Sequence, residues 1–409
     1  MTAMRGRNPS RAAAGALALL LTAALSGAGA VSAAAAGGNT VELPVLRTKL
    51  TGNAGCTEGS GRQATAVPWE QVSLQLGRAW QFASGSGVKV GVVDTGVSTS
   101  APALKGRVTA VGPAGKDCVG HGTFVAGLIA AQSDKGVRFA GVARRSAIVA
   151  VRGTDERGAA TAGRVASGIE AAVGAGAKVV TVSAAFAGDT AALRSAVRLA
   201  AKKDVLLVAA AVPDSPTGGV GQEVPARDYY PAAGDGVLSV LDVDVRGRRP
   251  AGSYTTGSAQ LAAPGDGVVG IGPSKNGHYI GSGASLAAGY VAGAAALVRS
   301  VHPELTAGQT AELLRSSAYP DAVPRVDPYA AVTAVLASAS TAAKAPLGPA
   351  ADKESAAPVR MPEDRAAGPL RRAMWPTLAG VAVVVTVVWL AVIIPRGRRT
   401  GWRPSARRP

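Results

Sequence analysis

GSGASLAAGYVAGAAALVR, residues 281–299, is the stretch on which the reading of this chain turns. It opens on small residues, sets Ser285 at the start of a predicted helix and continues in small apolar residues. Such a helix has no polar face to give to water, so it must lie buried against close neighbours. Ser285 then falls where the first unpaired N–H groups and the positive end of the helix dipole point. An attacking oxygen and a developing oxyanion both gain from that field. A serine capping a core helix accounts for the same residue equally well. A dinucleotide-binding loop does not fit, because Leu286 stands where the third glycine is required.

Upstream, residues 88–95 (VKVGVVDT) form a short apolar run closed by Asp94. A continuous apolar run reads as a strand buried on both faces, as in a parallel sheet. Ligands of such sheets bind off the carboxyl ends of the strands, which is where Asp94 falls. Residues 120–132 (GHGTFVAGLIAAQ) begin on His121 and continue as a small-residue helix. The flanking glycines allow close approach of backbone and substrate, which the settings of His278 and His302 do not offer.

Strands and helices then alternate. Strands are predicted at 146–152, 179–186, 205–212, 237–243 and 260–263, with helices at 161–173 and 190–203. The βαβα rhythm predicts an α/β fold, a doubly wound parallel sheet with helices on both faces. Before the first strand, residues 69–80 (WEQVSLQLGRAW) carry apolar residues at helical spacing.

The formal net charge of +17 suggests a nucleic-acid partner until its placement is considered. Three arginines lie in the first eleven residues and eight beyond residue 370, with no acid at either end. Removing those eleven charges leaves +6 over residues 37–370, and no nucleic-acid partner is expected. The N-terminal arginines precede an apolar run and a small-residue segment, so residues 1–36 read as a secretory signal cleaved near Ala36. Residues 37–68 form an extension containing Cys56, and residues 69–337 the main domain. Residues 338–373 are a linker punctuated by Pro346, Pro349, Pro358, Pro362 and Pro369. Residues 374–395 carry no charge and are long enough for one transmembrane helix, and the tail 396–409 has six arginines, as expected on the cytoplasmic side.

Asp94, His121 and Ser285 share one order and one set of roles. Serine is a poor nucleophile until a base takes its proton, imidazole suits that work near neutral pH, and a carboxylate fixes the imidazole tautomer. The local words GVVDTGV, GHGTFVAGLIA and GSGASLAAGYVAG resemble the aspartate, histidine and serine motifs of subtilisin-like proteases, as do the framework segments GVARRSAIVAVR and LAAPGDGV. The resemblance spans residues 69–335. The signal segment, cysteine-bearing extension, PWEQ segment, Cys118, linker and terminal apolar span are similar to the mycosins, membrane-anchored subtilisin-like proteases of type VII secretion systems. That resemblance implies a protease domain outside the cytoplasmic membrane, beside a secretion complex.

It also implies a serine endopeptidase acting on polypeptides through an acyl-enzyme, with catalytic Asp94, His121 and Ser285 and neither metal nor cofactor. The cleft walls are expected around Ser183, Ala184 and Ala185 and around Ala210 and Ala211, whose small side chains leave room for a substrate strand. Cys56 and Cys118, the only cysteines of an exported chain, are expected to pair. The chain also departs from the family pattern. Ala284 and Gly289 replace the usual threonine and proline. Val212–Pro213–Asp214 stands where the family has a glycine–asparagine pair that donates to the oxyanion, and proline has no such donor. Slow turnover is therefore expected. The alternative is a catalytically impaired pseudoprotease that acts as a structural component of the secretion complex.

Overall fold

The apolar runs become strands whose alternate side chains feed two separate cores. The structure, a computed structural model, describes residues 42–133, 136–214, 226–334 and, of 380–396, all but 381 and 392. The signal 1–36, the linker 338–373 and the tail beyond Arg396 lie outside the described residues.

Seven strands form one sheet: β1 (Lys89–Asp94), β2 (Val108–Ala110), β3 (Ala147–Arg152), β4 (Val179–Val182), β5 (Leu206–Ala210), β6 (Val237–Val243) and β7 (Leu261–Pro264). Their order is β2-β3-β1-β4-β5-β6-β7, and every pairing is parallel. On β1, Val90 and Val92 join one core and Val93 the other; on β5, Leu206 and Val208 separate from Leu207 and Ala209 in the same way. This is the two-residue period of a strand with both faces covered.

The helices complete the two layers. On one face α1 (Trp69–Ser73) and α2 (Leu76–Ala79) precede α3 (His121–Ala130). On the opposite face lie α4 (Ala162–Gly174) and α5 (Ala191–Lys202), started by Thr161 and Thr190, whose hydroxyls accept from Arg164 N–H and Leu193 N–H. The antiparallel pair β8 (Val268–Ile271) and β9 (His278–Gly281) leads into α6 (Ala284–Val301), followed by α7 (Ala307–Ser316) and α8 (Pro328–Thr333). Helix α6 lies with α3 in the first core and is buried from Ala284 to Arg299. Its one charged residue, Arg299, is satisfied by the carbonyls of Lys178, Asp204 and Leu305. Among the described residues α6 is the one helix long and apolar enough to cross a membrane, and it is a core helix. Ala382–Arg396 is a shorter apolar helix with exposed side chains at Val383–Val385, Val387 and Val388.

Two elements differ from the sequence pattern. Residues 69–80 do not form one helix: Gln75 takes φ 49 between α1 and α2. Leu74 and Leu76 are both buried, at 1% and 0% exposure, and residues two apart on one helix point to different faces. The break turns both inward. The predicted strand 179–186 stops at Val182, and the chain from Ser183 leaves the sheet to line a cleft.

The extension is tied down along its length. Leu46 N–H donates to Ile280 O and Ile280 N–H to Pro44 O, so it pairs beside β9. Further on, Cys56 is disulfide-bonded to Cys118, with Cα atoms 4.5 Å apart. A link closing 62 positions stabilises the folded chain by about 4 kcal/mol on chain-entropy grounds.

Glu70 on α1 sits fully buried in the first core, where Oε1 accepts Val269 N–H at 2.8 Å. Burial, outweighing the hydrogen bonds it receives, pushes its carboxyl from 4.5 up to about 7. A folded-state pKa raised above the unfolded one means that the contribution is present below about pH 4.5 and lost as pH rises through about 7. The difference corresponds to about 3 kcal/mol. Urea unfolding between about pH 4 and pH 8 should therefore show the wild type losing about that much more stability than Glu70→Gln. Equal losses in the two proteins would contradict this.

Candidate active site

Asp94 is the last residue of β1, His121 the first of α3 and Ser285 the second of α6. The parallel sheet brings all three to its carboxyl edge. His121 Nδ1 lies 2.9 and 2.8 Å from the two oxygens of Asp94, and Nε2 lies 3.1 Å from Ser285 Oγ. All three residues are buried. Gly283, not Ser285, caps α6, so the hydroxyl is free of that structural duty.

Asp94 needs its partners because a buried carboxylate is costly. It accepts from Thr95 N–H at 2.6 Å and from the Ser183 hydroxyl as well as from His121. Burial pushes its pKa up, but the His121 charge and these hydrogen bonds outweigh it, and the carboxyl titrates below its usual range. For His121 burial works downward, and Asp94 with Asp214 outweighs it, so the imidazole holds its proton well above the ordinary value.

A second layer fixes the approach of α3. Asp117, buried, accepts Gly120 N–H and Thr123 N–H, each at 2.8 Å, and the Thr123 hydroxyl at 2.6 Å. The Thr95 hydroxyl donates to Asp117 at 2.8 Å and accepts Gly122 N–H at 2.9 Å, joining the end of β1 to the start of α3. Gly122 is required by contact: a Cβ there would meet Gly96 O at 2.0 Å. Neither Asp117 nor Thr95 stands out in the sequence; an acid four residues before the histidine carries no periodic signal.

A cavity of about 360 Å3 opens beside Asp94 and His121, lined also by Thr48 and Lys49 of the extension. Ser183, Ala184 and Ala185 lie along it. The Ser183 hydroxyl, expected at the substrate, is instead turned to Asp94. Ala210 and Ala211 do not line the cavity: both are fully buried, packed with Val212 and Ala284, and Ala211 N–H is engaged by Val240 O.

Pro213 borders the cavity, and the side chain that reaches Ser285 is the next one. Asp214 Oδ1 accepts Ser285 N–H at 3.0 Å, and Oδ2 accepts the Ser285 hydroxyl at 2.7 Å and stands 3.6 Å from His121 Nε2. The backbone N–H that the sequence left available to an oxyanion is thus already engaged. This approach depends on Gly283, where a Cβ would meet Asp214 Oδ1 at 2.1 Å.

Comparison with known proteins gives these contacts a context. The subtilase family (peptidase S8) profile matches residues 85–351. Mycosin-4 of Mycobacterium tuberculosis is 30% identical over 394 residues, covering 84% of this chain and 85% of that protein. Thermitase of Thermoactinomyces vulgaris is 34% identical over 237 residues, covering 56% and 80%. Among solved structures, the MycP3 protease from the type VII (ESX-3) secretion system matches with a TM-score of 0.59 at 29% identity, over 71% of this chain and 95% of that one. The match takes in both the sheet and the three residues gathered at its edge, and the chain belongs to the subtilase family of serine-type endopeptidases, with mycosins among its relatives.

Proposed function

We propose that the chain is a membrane-anchored, extracytoplasmic serine endopeptidase of a type VII secretion system, slow in turnover, with Ser285, His121 and Asp94 as its catalytic residues. The observation that carries the reading is His121 bonded through Nδ1 to Asp94 while Nε2 sits 3.1 Å from Ser285 Oγ. In that arrangement Ser285 Oγ attacks the substrate carbonyl and its proton passes to His121 Nε2. The proton then goes to the leaving amine, an acyl-enzyme remains, and water releases it by the same steps reversed. Asp94 fixes the tautomer and stabilises the imidazolium. A polypeptide substrate would lie along Ala184 and Ala185. Pro213 supplies no oxyanion donor, and loss of one such donor costs ~10²–10³-fold in turnover, a magnitude taken from subtilisin itself.

The secretion-system assignment rests on the mycosin relatives and on the likeness to MycP3, a protease from the type VII (ESX-3) secretion system. Anchoring rests on the uncharged stretch 374–395, on the apolar helix Ala382–Arg396 and on the basic tail, with the signal 1–36 directing the domain outward. A second reading, a scaffold with an inactive site, is favoured by the engagement of Ser285 N–H and hydroxyl by Asp214.

A serine-directed phosphonate separates the two readings. The detergent-solubilised full chain should be labelled at Ser285, with labelling abolished in Ser285→Ala and slowed in His121→Ala, alongside weak peptide hydrolysis. No labelling under any condition would leave the scaffold reading. For the topology, protease added to cells stripped of their wall should digest residues 37–370 and spare the tail, and a protected domain would contradict it.

A further inference from the structure

Asp214 occupies an unusual place for a carboxylate. Its oxygens lie on Ser285 N–H and on the Ser285 hydroxyl, the two groups that bond a substrate oxyanion and attack its carbonyl. Oδ1, 3.0 Å from Ser285 N, therefore stands where the oxyanion of a tetrahedral intermediate would stand. The hydroxyl proton is drawn to Oδ2 at 2.7 Å and away from His121 Nε2 at 3.1 Å. In its ionised form Asp214 thus blocks the site twice, by filling the oxyanion position and by turning the nucleophile's proton from its base.

A neutral carboxyl in the same place behaves differently. It has an O–H to donate, and a carboxylic acid kept neutral can serve an enzyme as an oxyanion donor. Asp214 lies on the loop that follows β5, where Pro213 has no donor to give. Among the described residues the charges facing it are few. His121 Nε2 is 3.6 Å away on α3, with Asp94 behind it on the other ring nitrogen. On β6 the buried Asp242 repels Asp214, but its own charge is countered by Arg249. The first turn of α6 brings no acidic residue. Asp214 and His121 therefore share one proton that matters for chemistry.

We propose that Asp214 is a catalytic residue: ionised, it plugs the oxyanion pocket, and carrying the proton that His121 otherwise holds, it is the second oxyanion donor. The inference rests on the protease reading above. The productive form has neutral His121 and neutral Asp214, a proton tautomer of the resting ion pair. His121 then takes the Ser285 proton, while Asp214 keeps its own and only shares it with the oxyanion through a hydrogen bond. The leaving amine receives its proton from His121, so the count of protons closes over the cycle. Because the step needs one proton between the two facing groups, a second proton or none stops it, so the rate is bell-shaped in pH, and low at its maximum because the productive tautomer is the minor one.

Peptide hydrolysis by the full chain and by Asp214→Asn and Asp214→Ala, across about pH 5 to pH 10, tests this. The asparagine amide donates without a proton to share and removes a charge that holds the His121 proton. Asp214→Asn should raise kcat/KM by ~10²-fold near pH 8 and lose the alkaline limb, leaving one acid limb set by His121 alone. Asp214→Ala removes the plug without supplying a donor, so phosphonate labelling of Ser285 should quicken while hydrolysis stays at least ~10-fold below Asp214→Asn. Wild-type rate and bell shape in Asp214→Asn, or equal hydrolysis by the two variants, would overturn the proposal while labelling of Ser285 leaves the protease reading standing. Failure of Ser285 to label in all three proteins would overturn both.

Discussion

A carboxylate buried against an imidazole is stable only when every lone pair around it is answered, and much of the polar structure of this domain serves that requirement. Asp94 is answered by His121, by Thr95 N–H and by Ser183, which is why the chain leaves the sheet after Val182 and turns its hydroxyl inward. His121 is then held from behind by the first turn of α3, and that turn by Asp117. The disulfide from Cys118 ties the segment carrying Asp117 to the extension. The apolar core on the far side of the sheet sets the frame in which these contacts meet.

The start of α6 is the other half of the site, and it carries a conflict. A helix N-terminus offers positive field and free N–H groups to any anion. In this chain the anion nearest to hand is Asp214, brought within 3.0 Å of Ser285 N because Gly283 leaves room for it. The field that would stabilise a reacting oxyanion thus stabilises a resident carboxylate, and the same carboxylate strengthens the hold of His121 on its proton. Both effects favour the resting state over the transition state. They give a physical reason for the slow turnover proposed above, beyond the absence of a donor at Pro213.

The parts of the fold that repeat a pattern were legible from residues alone. β6 is found at 237–243, and β1, β3 and β7 fall within a residue of their apolar runs, because strands covered on both faces leave an uninterrupted apolar signature. β2, with three residues, and the hairpin β8–β9, with glycines in both strands, leave no such signature and emerge only from pairing. Helix 69–80 has the right spacing but is broken at Gln75 so that two leucines can be buried at once, a tertiary demand that spacing does not encode. In the site, glycines beside His121 and the apolar run before Asp94 pointed to the residues gathered there. The burial of Ala210 and Ala211 did not follow from their size, since a small side chain fits a cleft wall and a packed interior equally well. The sequence placed Asp214 only in the segment that replaces the family's glycine–asparagine pair; its bond to Ser285 N–H joins residues 71 positions apart and depends on the space at Gly283.

On the mechanism proposed above, Asp214 occupies the position that an oxyanion must take, and the chemistry of the site turns on this. An experimental structure of the full chain with Ser285 phosphonylated tests it most directly, because the phosphonyl oxygen stands in for the oxyanion of a tetrahedral intermediate. That oxygen should accept Ser285 N–H, with the Asp214 carboxyl displaced from that N–H and turned to donate to the same oxygen. A phosphonyl oxygen directed elsewhere, with Asp214 still bonded to Ser285 N–H, would contradict it.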